Sequence, residues 1–485
     1  MDKRNTETVK NERNGKIEKK ATFGWSLAIF VVVICILMFG ILGLGQSAHI
    51  PLLTSMLVVT AYGYFVLNIS LDDMENAVVK SAKEAPFMIL ISIGILIASW
   101  VICGTVPYIV YLGLKLINPA WFLAFVCLAC TILSTVTGSS WTTIGTLGVA
   151  FMGISLGLGI PLGMTVGAIC CGAFFGDKQS PVSDYAVFAA GVAKCNIYRH
   201  AKYMLYTSGP SIVGAFLLFL FIGFGFHSTT AELSEIEDII SGLEATFHFS
   251  TAMWIPLVAL AAAIFLKLPA TYSLLASAVT AIFVAIFAQG YSASEVIGFL
   301  YNGVSMESGN EVVDTICNRG GMASMVYNIT MLLSSLSLAG AFGRTKVLSE
   351  IVDKLAFLIK SRFSLVFSTF LSSTVMSFFT GDPFIGGVIP CSALGRKYEE
   401  FDIDRAVLSR TISDAAAVQQ PIVPWGVSGV YVVQCLGVPV SQFAFYYFIG
   451  WLTPIFSVIC AITGLGCPKS TQKEEVLREE AEGNI

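Results

Sequence analysis

The sequence predicts an all-α polytopic membrane protein made of two repeats, each interrupted by broken helices. Three observations predict it. Of the 485 residues, 55% are hydrophobic and only 12% charged, with a mean hydropathy of +0.77. A soluble domain carries about 25% charged residues, so much of this apolar surface must face lipid. Apolar runs recur along the whole chain, and at about 20 residues per spanning helix the length holds roughly 11–13 spans. Polar interruptions containing Gly or Pro stand at matching positions of two halves, which suits re-entrant helix hairpins.

The elements follow in order. Residues 1–20 are polar and carry seven Lys or Arg, the pattern of a disordered arm kept in the cytoplasm by the positive-inside rule. Residues 21–70 hold the N-terminal spans. The first apolar run, from about Ala21 to Leu44, exceeds a signal-peptide core and lacks a small-residue cleavage pattern, so it reads as a retained helix. Lys80 and Lys83 fall in a loop two spans later and give the same orientation. Residues 86–226 form the first repeat, opening with one apolar run over 86–114 and carrying breaks at 137–145 and 176–184.

Residues 228–321 connect the halves. Two stretches there are too polar to span and read as interfacial. One, 228–250, carries Glu232, Glu235, Glu237, Asp238 and Glu244; the other, 301–321, carries Glu307, Glu311, Asp314 and Arg319. Residues 322–466 form the second repeat, with breaks at 380–383 and 409–425. Residues 467–485 are a cytosol-like polar tail.

The repeat is visible in the residues themselves. Ser134-Thr-Val-Thr-Gly-Ser139 corresponds to Ser377-Phe-Phe-Thr-Gly-Asp382, with the glycines, 138 and 381, separated by 243 residues. A looser echo pairs Ser99 to Gly104 with Ser335 to Gly340. Ser180-Pro181 and Gln420-Pro421 lie at nearly the same offset. Paired interruptions of this kind mark the midplane site of a secondary transporter.

Each interruption carries polar atoms that would be costly against lipid, so each belongs against protein or a water-filled cavity. Thr137, Gly138, Ser139, Ser140 and Thr142 supply hydroxyl and carbonyl oxygens suited to a hard monovalent cation; the plainer reading is a Ser/Thr packing seam. Asp177 ends an unbroken apolar run, where an ionisable residue reads as functional. Ser180 before Pro181 reads as a helix N-cap, with Ser183 and Asp184 in the first turns, where an acid is favourable in any case. Thr380-Gly381-Asp382-Pro383 is a helix start, and capping alone would account for Asp382. Asp414 follows Arg405 and Arg410, so a surface ion pair is its plain explanation. Gln419, Gln420 and Trp425 surround two prolines in the last break.

A dehydrated carboxylate holds a sodium ion or a proton in competition, the simplest device for exchanging one for the other. A potential of 100 mV adds about 2.3 kcal/mol per net charge moved. Sodium is thereby expected at Asp177, Asp184, Asp382 or Asp414, with sodium and protons as coupling ions and no cofactor.

Other classes are excluded or disfavoured. The twelve cysteines are scattered within apolar runs and form no disulfide framework. Four histidines, no H-E-x-x-H and no Walker A loop leave no metalloprotease or ATPase chemistry. No basic stripe calls for nucleic acid. A channel needs a pore lined by repeats around an axis, which two halves with buried acids do not suggest.

Gly176-Asp177-Lys178, Ser180-Pro181 and Ser183-Asp184, with Gly320-Gly321-Met322, Thr380-Gly381-Asp382, Ser409-Arg410-Thr411, Asp414 and Pro424-Trp425, carry a resemblance to the NhaC-type sodium/proton antiporters of the ion-transporter superfamily. It implies two inverted repeats, a homodimer of scaffold and transport domains in the cell membrane, and sodium/proton exchange by alternating access. In some members it implies coupled exchange of organic acids such as malate and lactate.

This sequence departs from the family pattern at Tyr185-Ala186-Val187, where Thr-Thr-Asn is usual, and at Gly426-Val427-Ser428, where Asn-Thr-Cys is usual. Gln419 and Gln420 replace small Thr or Ser, and Gln179 replaces Met. Larger amides in place of small oxygen ligands favour a second cargo, an amino acid or carboxylate.

Overall fold

The computed structural model describes residues 18–83, 87–228, 233–266, 268–355 and 359–469. Most of the N-terminal arm, Glu232 and the tail beyond residue 469 lie outside them. The described residues are helical throughout, without strands. Among them six helices are long and apolar enough to cross a bilayer. Two bent pairs raise this to as many as eight, and shorter apolar helices such as Asp184–Ala193 stand beside them.

Nine segments frame the site. In the first repeat they are α1 (Phe87–Ile102), α2 (Pro119–Thr137), α3 (140–157, with a π-helical turn at Ile144–Gly148), α4 (Leu162–Gln179) and α5 (Asp184–Ala193). In the second they are α6 (Arg362–Thr380), α7 (Pro383–Glu400), α8 (405–417, ending in a π-helical turn, Ser413–Ala417) and α9 (Val427–Leu436).

The repeat extends through helix boundaries at one constant step. From α2 to α6 the starts move from 119 to 362 and the ends from 137 to 380, both 243 residues. The same step takes α3 onto α7, the start of α4 onto that of α8, and α5 onto α9. It also carries a tertiary contact. Ser134 donates to the Ala173 carbonyl at 2.5 Å, and Ser377 donates to the Ala416 carbonyl at 3.4 Å. The two halves exchange partners: α5 packs on α7 and α8, while α9 packs on α3, the pattern a two-fold relation generates.

Local chemistry explains each hairpin. Gly138 and Gly381 both cap a helix end at φ 67°, a left-handed conformation that costs side-chain-bearing residues more. The next residue in each case caps the following helix. Ser139 accepts from the Thr142 amide, and Asp382 accepts from the Phe384 and Ile385 amides. Chain reversal is therefore built into three consecutive residues.

Four local expectations are corrected. The apolar run 86–114 is not one helix, because Gly104 at φ 85° separates α1 from a helix at Thr105–Leu116. Gly340, its looser echo, sits inside the helix Val326–Thr345. Lys80 and Lys83 lie in the last turn of the helix Leu71–Lys83, not in a loop. Ser180 does not cap α5. Helix α4 runs on through Gln179, Ser180 closes it, and Ser183 makes the cap by accepting from the Tyr185 and Ala186 amides.

Candidate functional site

The two breaks of the first repeat converge on one carboxylate. Asp177 lies in the last turn of α4, half-buried. Its Oδ2 accepts from Ser140 Oγ at 2.7 Å, and its Oδ1 accepts from Ser183 Oγ at 2.7 Å. Ser140 opens α3 and Ser183 caps α5, so one acid is held by the starts of two different helices. Charge-assisted hydroxyl bonds fix its orientation.

Asp177 forms part of the wall of a cavity of about 780 Å³. Asp184 and Asp382 share that wall with Gly138, Ser139 and Ser428. Among the described lining residues there are three carboxylates and no basic side chain, an arrangement that concentrates cations. Most of the remaining lining is aromatic or aliphatic, including Trp141, Phe174, Tyr185, Phe188 and Phe384. Among the described residues no three His, Cys, Asp or Glu cluster tightly enough to hold a metal ion.

Of the other sequence candidates, Gly138, Ser139, Asp184 and Asp382 line this cavity, and the rest are held by bonds within and between the helices. Thr137 Oγ1 accepts from the Ser139 amide at 3.3 Å, and Thr142 donates to Ser139 Oγ at 3.1 Å. Ser180 is buried, with no hydrogen-bond partner for its hydroxyl among the described residues. Thr380 donates to the Met376 carbonyl at 2.7 Å, behind Gly381. Gln419 donates to the Gly450 carbonyl and Gln420 to Ser377 Oγ at 2.6 Å, so both amides brace the helices around them. Trp425 is buried and donates to the Phe378 carbonyl at 2.7 Å. Asp184 is exposed within the cavity, and Asp382 caps α7 while facing it.

Asp414 departs from its expected surroundings. It makes no surface pair with Arg405 or Arg410. Arg405 pairs with Glu399, and Arg410 turns to the Gly466 carbonyl. Asp414 instead sits fully buried on the π-helical turn of α8, 3.2 Å from Lys178 Nζ. Helical geometry places Lys178 about 100° around α4 from Asp177, so consecutive residues address different sites.

Sequence reasoning missed Phe188 and Phe384, whose rings meet at 4.8 Å on the cavity wall, and the stack of Trp141 on Tyr431 at 4.2 Å. The 243-residue step was the available signal: it maps Trp141 onto Phe384 and Phe188 onto Tyr431.

Paired broken helices around a cavity that carries three carboxylates define a secondary transporter and not an enzyme. Residues 172–465 match the family model described as the Na+/H+ antiporter family. The chain is 34% identical over 456 residues to the Na(+)/H(+) antiporter NhaC of Alkalihalophilus pseudofirmus, covering 93% of this chain and 98% of that one. It is 35% identical to the arginine/ornithine antiporter ArcD of Halobacterium salinarum, covering 92% and 93%. It is 31% identical to the malate-2H(+)/Na(+)-lactate antiporter of Bacillus subtilis, covering 82% and 86%. The chain belongs to the NhaC-type Na+/H+ antiporter family, a group of multi-pass membrane transporters.

Proposed function

We propose that this protein exchanges sodium for protons by alternating access, with Asp177 as the group at which the two ions compete. The observation that carries this reading is the half-buried Asp177 carboxylate, held by Ser140 and Ser183 on a cavity wall bearing two further acids. Sodium binds the carboxylate together with nearby hydroxyl and carbonyl oxygens. Protonation removes the charge that holds it, and the emptied, protonated site returns to the other face. Asp184 and Asp382 raise the local cation concentration. The basic arm of residues 1–20 supports a cytoplasmic N-terminus, and the homodimer implied by the family resemblance belongs to the same reading.

The test is sodium-dependent collapse of a preformed pH gradient in everted vesicles. Collapse with no organic solute present supports the proposal; an unchanged gradient across a range of sodium concentrations and pH overturns it.

One observation favours a second cargo. A cavity of about 780 Å³ with largely aromatic and aliphatic walls has the size and lining of a small-molecule site rather than a bare-ion site. In this reading the same acids couple sodium or protons to a small organic solute, an amino acid or a carboxylate. A gradient that collapses only when such a solute is added distinguishes the two.

A further inference from the structure

A second cavity, of about 370 Å³, lies behind the first, lined by Ile97, Asn302, Arg319, Ser324, Gln434 and Cys435 among others. Two helices run from one cavity to the other. On α1, Ile89 faces the first and Ile97 the second, with fully buried Ile93 one turn from each. On α9, Val427 and Ser428 face the first and Gln434 and Cys435 the second, with Tyr431 between them. Seven residues of α-helix, from Ser428 to Cys435, rise about 10 Å.

What fills that interval is a contact between the repeats. The Tyr431 ring stacks on Trp141 at 4.2 Å and 23°, and its hydroxyl donates to the Trp141 carbonyl at 2.5 Å. A Cβ on Gly145 would meet that hydroxyl at 2.8 Å and Ile93 at 3.6 Å, so the glycine in the π-helical turn of α3 lets the three elements close. Tyr431 is 1% exposed. Its repeat mate is also in contact, at 4.8 Å, but differs in exposure: Phe384 and Phe188, one 243-residue step away, line the larger cavity, and Phe384 is 43% exposed.

We propose that Trp141–Tyr431 and Phe384–Phe188 are the two gates of the carrier, the first sealed between the cavities and the second in contact but exposed on the wall of the larger cavity, and that the smaller cavity is the vestibule on the far side. The inference rests on the alternating-access reading above. The two-fold relation between the repeats supplies the exchange: the alternative state seals the Phe384–Phe188 pair from solvent and parts Trp141 from Tyr431. An aromatic and aliphatic barrier of this kind excludes water without an ionic lock.

The test uses single cysteines, Ser324→Cys in the vestibule and Val388→Cys in the larger cavity, in a cysteine-depleted chain reconstituted with known orientation. A membrane-impermeant maleimide is added to each face. The two sites are expected to label from opposite faces. Changes of sodium or pH that raise one rate lower the other, and Trp141→Ala raises Ser324→Cys labelling from the larger cavity's side roughly tenfold. Labelling of both from the same face, rates that rise and fall together, or no response to Trp141→Ala would overturn the gate assignment. Gradient collapse is measured on the same vesicles, so exchange that persists beside a failed labelling pattern separates this inference from the transport reading. Reciprocal labelling without sodium-driven collapse would leave the gates standing and remove bare-ion exchange.

Discussion

Lys178 and Asp414 meet 3.2 Å apart across the seam between the repeats, both sealed from solvent. Each is carried by a helix that begins at the corresponding position of its own repeat, 162 and 405. Removing one partner of such a pair strands a dehydrated charge and costs about 3–5 kcal/mol, while replacing both by apolar groups is near neutral. Lys178→Met alone is therefore expected to lower the unfolding temperature in detergent sharply, and Lys178→Met with Asp414→Leu to recover most of the loss. A double variant no more stable than the single one would contradict the pairing.

Asp177→Asn keeps a hydrogen-bond acceptor for Ser140 or Ser183 and removes the titratable charge. It is expected to fold and insert at wild-type levels and to lose coupled exchange. Gradient collapse in vesicles, alongside protein quantified in the membrane, measures both. Wild-type turnover would remove Asp177 from the mechanism.

Asp382 has a capping role that Asn can take over and Ala cannot. Asp382→Ala is expected to destabilise by about 1 kcal/mol, with Asp382→Asn close to wild type. Because this carboxylate also faces the cavity, the Asn variant should bind sodium a few-fold more weakly. Unchanged sodium affinity would confine Asp382 to capping.

Gly176 lies where α4 crosses α2. A Cβ there would press on the backbone of Ser134 and Thr135, whereas one on Gly191 meets nothing within 4 Å. Gly176→Ala should cost about 1–3 kcal/mol through overpacking, and Gly191→Ala should be neutral or slightly stabilising. Thermal unfolding of the pair checks the close helix crossing directly.

The hairpins were legible because Thr-Gly followed by a capping residue is a local signal, present at both 137–139 and 380–382. Asp177 was legible for the same reason, as an acid closing an apolar run. Gly104 was hidden because Cys103 and its neighbours are apolar, so the helix breaks without any change in polarity. Ser180 and Ser183 stand three residues apart before one apolar segment, and composition does not say which turns its hydroxyl back to the amides. The Lys178 partner of Asp414 lies 236 residues away in the chain, a distance over which local pattern carries no information. Gln419 and Gln420 read as site ligands because they stand at a Pro-containing break where small Thr or Ser are usual, while in the fold they bond the Gly450 carbonyl and the Ser377 hydroxyl. The aromatic pairs required the repeat step applied residue by residue.

Competition of sodium and protons at Asp177 is tested most directly on purified protein, by recording proton release when sodium binds in weakly buffered detergent solution. The account predicts proton release on sodium addition, an apparent sodium affinity that falls up to about tenfold per pH unit on the acid side, and loss of both in Asp177→Asn. Sodium binding to Asp177→Asn with unchanged affinity and undiminished proton release would contradict it.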